Sequence, residues 1–471
     1  MTKRFCIRAG WAEILVAAVV CWSISLPGSA RAAPPDGISW DAKQDFVDAQ
    51  IEAWPLARVL VAISAATGWQ IYVEPDTRYT ISTRFQKLKP PEALRRLLGE
   101  LNFALLPQTN APAKFFVYRT TVQEATQLIA PPPGKSNVSS ARPIPNELVV
   151  TLKPGAKVSI EDLAKRLGAK VVGRIDELNA YRLRFESEDA AQSARSQLAE
   201  EDAVSAVDSN FAINRPTQIE PLSISSVPPL SLKPNVSPST EHPVIALIDT
   251  SVAGDKSPVK DFFLPQVSVA DPADATVASR SHGEAMGQTI LRGLAECLDG
   301  PATTAWRILP VDVYGNSPST TTFDVARGIY AALGARPSIF NLSLGSEGDT
   351  PFLKNVIQQL HDQGAVFVAA TGNQPVRTPM YPAAYDSVLA VTAGDSRGRL
   401  ASYANRGDFV DVIAPGASIV DYGGQAFLTT GTSVSAAHMS GMIACLLAHN
   451  PDMTPLEAEA EVRKQFAFQR Q

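Results

Sequence analysis

VIALIDTS, Val244 to Ser251, is an apolar run closed by a carboxylate. A short continuous run of this kind reads as a strand buried on both faces, and it delivers Asp249 at the strand's carboxyl end. Similar runs follow at Ile308–Val313, Ile339–Leu344, Val366–Ala370, Val388–Thr392 and Val410–Ala414. Helical patterns alternate with them over His282–Leu298, Thr322–Leu333, Thr350–Gln363 and Ser433–Asn450. Alternating strand and helix predicts an α/β domain over residues 242–466, with a doubly wound, mostly parallel sheet covered on both faces. In such sheets the chemistry gathers at the carboxyl ends of the strands.

Two smaller units precede this domain. Over residues 38–122, Leu56, Val59, Leu60 and Ile63 repeat at helical spacing between Pro55 and Gly68, and Trp69–Val73 alternates as a strand. A second helix follows Pro91, with Leu94, Leu97, Leu98 and Leu101 on one face, and Phe115–Tyr118 closes the unit as a strand. Over residues 146–213 the order is βαββαβ, a ferredoxin-like pattern. Leu148, Val150 and Leu152 alternate, Ser159 with Asp162 signals a helix start, and Gly168 ends that helix. Tyr181, Leu183 and Phe185 alternate again, an Ala- and Gln-rich helix runs over 189–198, and Val204–Val207 reads as a strand. Both units are small α+β domains. Pro/Ser-rich stretches at 123–145 and 214–241 lack periodicity and read as extended linkers.

The 471-residue chain suits about three domains by length. Its 45% hydrophobic and 19% charged content allows sizeable cores. A net charge of −5, with no long Lys/Arg run, argues against nucleic acid as a partner. At the N-terminus Lys3, Arg4 and Arg8 precede an apolar run from Ile14 to Leu26 and then Ala30-Arg31-Ala32. That order reads as a signal peptide over residues 1–32; the alternative is an uncleaved anchor, for which the run is short. No other stretch is apolar enough to span a membrane, so none is expected in the mature chain. Cys297 and Cys445, the two cysteines beyond the leader, have no metal-site spacing, and read either as buried apolar residues or as a single bridge.

Asp249, His282 and Ser433 are the candidate catalytic residues. Alone, each has a plain structural explanation: a strand-end turn, a loop histidine and a helix N-cap. Together they make a nucleophile, a base and an orienting acid. Asn373, in VAATGNQ, adds a side-chain amide able to donate to an oxyanion. The order Asp, His, Asn, Ser, with gaps of 33, 91 and 60 residues, is hard to obtain by chance.

The domain at 242–466 resembles the subtilisin-like serine peptidases, through VIALIDTS, SHG, IFNLSLGS, VFVAATGN, YPAAYDSVLAVTAGD, DVIAPG and GTSVSAAHMSG. The resemblance implies a serine endopeptidase acting on polypeptide substrates. It makes Asp249 the orienting acid, His282 the base and Ser433 the nucleophile. Asn373 and the Ser433 N–H become the oxyanion hole, and Ser343-Leu344-Gly345 the edge that pairs with substrate. Calcium sites are common in that family, but no ligands can be placed here, so no cofactor or metal is identified. Residues 146–213, through NELVVTLKPGAKVSIEDLAKRLGAKVVGRI, resemble that family's propeptides, which assist folding and then inhibit; this implies an autoprocessed zymogen. Residues 38–122, through IEAWPLARVLVAISAATGWQIYV and LKPPEALRRLLGELNFAL, resemble the short N-terminal domain of secretins and TonB-dependent receptors. That module is periplasmic and serves interaction or signalling. It implies an envelope protein partner and an exported protein, periplasmic or secreted, in a Gram-negative bacterium. The chain departs from the peptidase pattern at Ser251 (usually Gly), at Glu284-Ala285 (usually Thr and often His) and at Ala437 (usually Pro). Glu284 is expected beside the base, where it bears on the base's pKa or on a substrate subsite. The rival reading is a non-catalytic binding or signalling protein on a peptidase-fold scaffold. A metallopeptidase is disfavoured by five His and no HExxH.

Overall fold

The computed structural model describes residues 37–41, 46–106, 113–129, 142–216, 220–221, 230–235, 242–270, 280–298, 302–395 and 398–468, less 75, 76, 78, 121, 123, 124, 126, 297 and 402. The leader expected at 1–32 lies outside the described residues, and so does Cys297.

The first unit contains β1 (Gly37–Asp41), β2 (Phe46–Pro55), α1 (Leu56–Thr67), β3 (Gln70–Val73), β4 (Thr80–Leu88), α2 (Pro90–Leu98), β5 (Asn102–Leu106), β6 (Lys114–Tyr118) and β7 (Gln127–Ile129). Two sheets, β1-β2-β4 and β5-β6-β3-β7, close over a core of Val59, Leu60, Ile63, Ile71, Leu94, Leu97 and Phe115. Helix α1 runs between its caps Pro55 and Gly68, as its pattern predicts. The second unit follows the expected order: β8 (Pro143–Leu152), α3 (Ile160–Leu167), β9 (Lys170–Ile175), β10 (Ala180–Arg184), α4 (Glu188–Ala199) and β11 (Val204–Asn214). The Ser159 hydroxyl accepts the Asp162 N–H at 3.1 Å, the helix-start bond its sequence signals.

The third unit comprises β12 (Glu220–Pro221), β13 (Leu232–Pro234), β14 (Val244–Asp249), β15 (Val267–Ser268), α5 (His282–Glu296), β16 (Ala302–Thr304), β17 (Arg307–Asp312), β18 (Ser319–Thr321) and α6 (Thr322–Ala332). It continues with β19 (Ile339–Leu342), α7 (Pro351–Asp362), β20 (Val366–Ala370), β21 (Leu389–Gly394), β22 (Val412–Pro415), β23 (Ala417–Tyr422), β24 (Gln425–Thr430), α8 (Thr432–His449) and α9 (Pro455–Gln465). Seven strands form a parallel sheet in the order β15-β17-β14-β19-β20-β21-β22. Strand β14 explains the layering. Ile245 and Leu247 pack on α5 and α8, while Ala246 and Ile248 pack on α6 and α7. The strand order reverses around β14, so its carboxyl end opens into a crevice.

Helix α8 is buried through most of its length, as its run of small and apolar residues leads one to expect. It crosses α5 at glycines. A Cβ on Gly441 would lie 2.1 Å from the Ile290 carbonyl oxygen, and one on Gly293 would lie 2.4 Å from the His438 carbonyl oxygen. The two backbones therefore touch.

Both stretches expected to be linkers carry short strands. In 123–145, β7 pairs antiparallel with β3, and β8 begins at Pro143. In 214–241, β12 pairs with β24, and β13 pairs parallel with β16. Strands of two or three residues carry no readable alternation, and they exist only because a neighbouring edge accepts them. The structure also adds strands β1, β2, β4 and β5 to the first unit. In the third unit β19 stops at Leu342 rather than Leu344, and β22 starts at Val412 because the Val410 N–H turns back to the Gly407 carbonyl.

Gly441→Ala is expected to lower unfolding stability by about 1–3 kcal/mol, the usual cost of overpacking a tight contact. A fall in the urea midpoint at unchanged slope checks it.

Candidate active site

Asp249 ends β14 fully buried, and its Oδ1 accepts the Thr250 N–H at 2.7 Å. His282 is the first residue of α5. Its Nδ1 lies 2.9 Å from both Asp249 oxygens, so the ring is held by the carboxylate. Gly283 permits this approach: a Cβ there would sit 2.1 Å from the Thr250 carbonyl oxygen. The Gly283 N–H donates to the Thr250 hydroxyl at 2.8 Å. The loop after the acid and the helix that starts with the base are thus tied directly together.

Ser433 lies in the first turn of α8 and is 9% exposed. Its hydroxyl donates to the Ser343 carbonyl at 3.2 Å, and the Ser343 hydroxyl donates to the Ser433 carbonyl at 3.1 Å. Asn341 steadies this pair by donating to the Ser343 hydroxyl at 2.9 Å. Leu344 is buried, and Gly345 faces the Tyr381 carbonyl. Residues 343–345 therefore follow directly on the end of β19, with Ser343 bonded to Ser433.

Asn373 follows β20. Its Oδ1 accepts the Thr432 N–H at 2.8 Å and the Thr432 hydroxyl at 3.0 Å. With the oxygen so occupied, the amide NH₂ is the donor left to face the site. Gly431, at φ +144°, brings the chain past this amide; a Cβ there would sit 2.9 Å from Nδ2. The structure thus brings Asp249 and His282 into contact, and sets Ser433, Ser343 and Asn373 around one helix N-terminus, where a developing negative charge is favoured.

Glu284 corrects an expectation. It does not face the base. It is fully buried, and its oxygens accept the Ala253 N–H (3.1 Å), the Ser257 hydroxyl (2.6 Å) and the Gln288 amide (3.0 Å). A carboxylate in the core needs such donors, and the helical spacing of residues 284 and 288 supplies one of them. Gln288 also pairs with the Asp421 backbone through two bonds of 2.8 Å. Tyr422 donates its hydroxyl to the Ser281 carbonyl at 2.6 Å. Burial, reinforced by Glu284 and Asp249, pushes this phenol above its ordinary range and keeps it a donor. The Ser281 hydroxyl in turn donates to the Ser251 carbonyl. The hairpin β23–β24, which leads into Ser433, is therefore stitched to the start of α5, which carries His282. Gln288, Ser281, Tyr422 and Thr432 were not singled out from the sequence, because isolated Gln, Ser, Thr and Tyr carry no spacing signal.

The second unit packs against this domain. The buried Asn210 accepts the Phe323 N–H (3.1 Å) and the Thr322 hydroxyl (3.0 Å) at the start of α6, and donates to Glu147 at 2.8 Å. Arg182 pairs with Asp324 at 2.6 Å. Asp208 accepts the Phe352 N–H at the start of α7. Strand β11 runs on past Val207 because Ala212–Asn214 pair antiparallel with Thr321–Ser319 of β18. Among the described residues no cluster of His, Cys, Asp or Glu could hold a metal ion.

A model of the subtilase family matches residues 204–466, and one of the fervidolysin N-terminal prodomain matches residues 129–210. The chain is 39% identical over 142 residues to a thermophilic serine proteinase of Bacillus sp. (strain AK1), covering 30% of this chain and 35% of that protein. It is 35% identical over 170 residues to the minor extracellular protease Epr of Bacillus subtilis, covering 36% and 26%. The match therefore spans about a third or less of the length of these two relatives. With thermitase of Thermoactinomyces vulgaris it is 29% identical over 225 residues, covering 46% and 79%. The crystal structure of the epidermin leader peptide processing serine protease of Staphylococcus aureus superposes with a TM-score of 0.51 at 16% identity, over 66% of this chain and 91% of that one, which shows a shared fold.

Glu284→Ala leaves the Ala253 N–H, the Ser257 hydroxyl and Gln288 without their acceptor. The expected loss is about 1–3 kcal/mol for each buried donor that water cannot reach. A drop in the urea midpoint, larger than that of Glu284→Gln, checks it.

Proposed function

The chain belongs to the subtilase family, and from that premise we propose that it is a serine endopeptidase made as a zymogen. The observation that carries the reading is the 2.9 Å contact of His282 Nδ1 with the buried Asp249. It leaves Nε2 of His282 as the basic atom. In the proposed cycle the Ser433 hydroxyl turns from the Ser343 carbonyl to His282, which takes its proton as the oxygen attacks the peptide carbonyl. Asp249 stabilises the imidazolium. The Asn373 amide and the Ser433 N–H donate to the oxyanion. His282 then protonates the leaving amine, and water releases the acyl group by the same route. Residues 343–345 offer backbone groups to an extended substrate, which accounts for broad polypeptide recognition.

Residues 146–213 act as the inhibitory prodomain in this reading. The match to the fervidolysin prodomain and the seating of β11 on β18 support it. Processing then falls between Ile213 and His242. The protein is exported, with residues 38–122 retained as a module for an envelope protein partner; the basic and apolar N-terminus and the secretin-like pattern support that assignment.

Wild type is expected to release its peptidase domain, cleave casein and bind a fluorophosphonate. Ser433→Ala should do none of these and persist at full length. Full-length wild type that neither cleaves casein nor labels would sink the enzyme in favour of a scaffold role. Asn373→Ala should lower kcat by about 10²–10³ with little change in KM, the cost known for such a donor in a subtilisin.

A further inference from the structure

The segment leaving β11 places one side chain, Arg215, against the loop between β17 and β18. Arg215 follows directly on β11, and its N–H donates to the Pro318 carbonyl at 2.8 Å, extending the ladder with β18 by one residue. Its Nε donates to the Ser317 carbonyl at 2.9 Å, and a terminal nitrogen donates to the Gly315 carbonyl. The guanidinium lies 5.4 Å from the centre of the Tyr314 ring. Tyr314 is buried, and its hydroxyl donates to the Asn214 carbonyl at 3.2 Å, so the same residue grips the backbone one position earlier.

Two residues before Tyr314 is Asp312, fully buried and paired with Asp249 in the parallel register. Its Oδ1 accepts the N–H groups of Tyr314 (3.0 Å) and Gly315 (2.9 Å). Its Oδ2 is buried without a hydrogen-bond partner. Burial raises this carboxyl, and Arg215 works against the rise. The guanidinium therefore meets an aromatic ring and two carbonyl acceptors, within electrostatic reach of a buried, incompletely satisfied carboxylate. A planar guanidinium can stack and donate in two directions at once, which a lysine ammonium cannot match.

We propose that Tyr314, Gly315, Ser317 and Asp312 form an arginine-selective subsite upstream of the scissile bond, so that the enzyme prefers polypeptides with Arg where Arg215 now sits. The inference rests on the endopeptidase reading. Antiparallel addition to the β18 edge is open to any extended peptide, so a substrate can adopt the register that Ala212–Arg215 shows. The positive charge is drawn to the same carboxyl ends of β14 and β17 that hold Asp249 and Asp312.

The test uses enzyme produced from the full chain, with casein as substrate and peptides spanning Asn210–Pro221 as competitors. The native peptide should compete about tenfold better than its Arg215→Ala form, as expected for one cation–π contact and two hydrogen bonds. Arg215→Lys should fall between them. On Tyr314→Leu enzyme the ratio of native to Ala peptide should shrink toward one. Casein cleavage with equal competition by the native and Ala peptides overturns the subsite and leaves the peptidase reading standing. Absence of casein cleavage in the wild type removes that reading and this inference with it. If Tyr314→Leu does not fold, the wild-type comparison decides alone.

Discussion

The crossing of α5 and α8 at Gly293 and Gly441 is the constraint on which the rest of the site depends. One helix starts with His282 and the other carries Ser433 in its first turn, so the backbone contact between them sets how far apart those side chains can be. Side chains at the crossing would push the helices apart by a side-chain layer, since interiors pack at crystal density and do not yield gradually. The contact is made of main chain and is therefore stiff.

Polar bonds then fix the rotation of each element about that contact. Glu284, Gln288 and the Asp421 backbone tie α5 to the β23–β24 hairpin, and Tyr422 reaches back to Ser281. These groups are buried, so each bond forms where water offers little competition and an orphaned group is costly. The acid is treated likewise: Asp249 gives one oxygen to a backbone N–H, and both face the imidazole. The departures from the usual family residues fit this scheme. Glu284 has recruited its own donors, and Ala437 leaves α8 unbroken from Thr432 to His449.

Most of the third domain was legible because its signals are long. Val366–Ala370 matches the strand read from the apolar run, and the four helices start and stop within two residues of their patterns. Asp249, His282, Asn373 and Ser433 stand out in the sequence only as a set, by order and flanking residues; the structure puts His282 on Asp249, and Asn373 on Thr432 beside Ser433. The direction of Glu284 was not, because a side chain's heading depends on loop 253–257, which contacts it only in the folded state. The dependence of α6 on Asn210 was equally hidden: the two residues lie more than a hundred positions apart, and no local pattern announces such a pairing. The short strands at 127–129, 220–221 and 232–234 are also products of their neighbours.

The capping of α6 by Asn210 and of α7 by Asp208 has a thermodynamic corollary. Two helices of the third domain have N-terminal donors satisfied by the second, so these two units should unfold together while they share a chain, the tether acting as a high effective concentration. Any cut in the connection turns that contact into a bimolecular equilibrium. The fragments would then separate on dilution, and the melting temperature of the cleaved protein would depend on how much of it is in the tube.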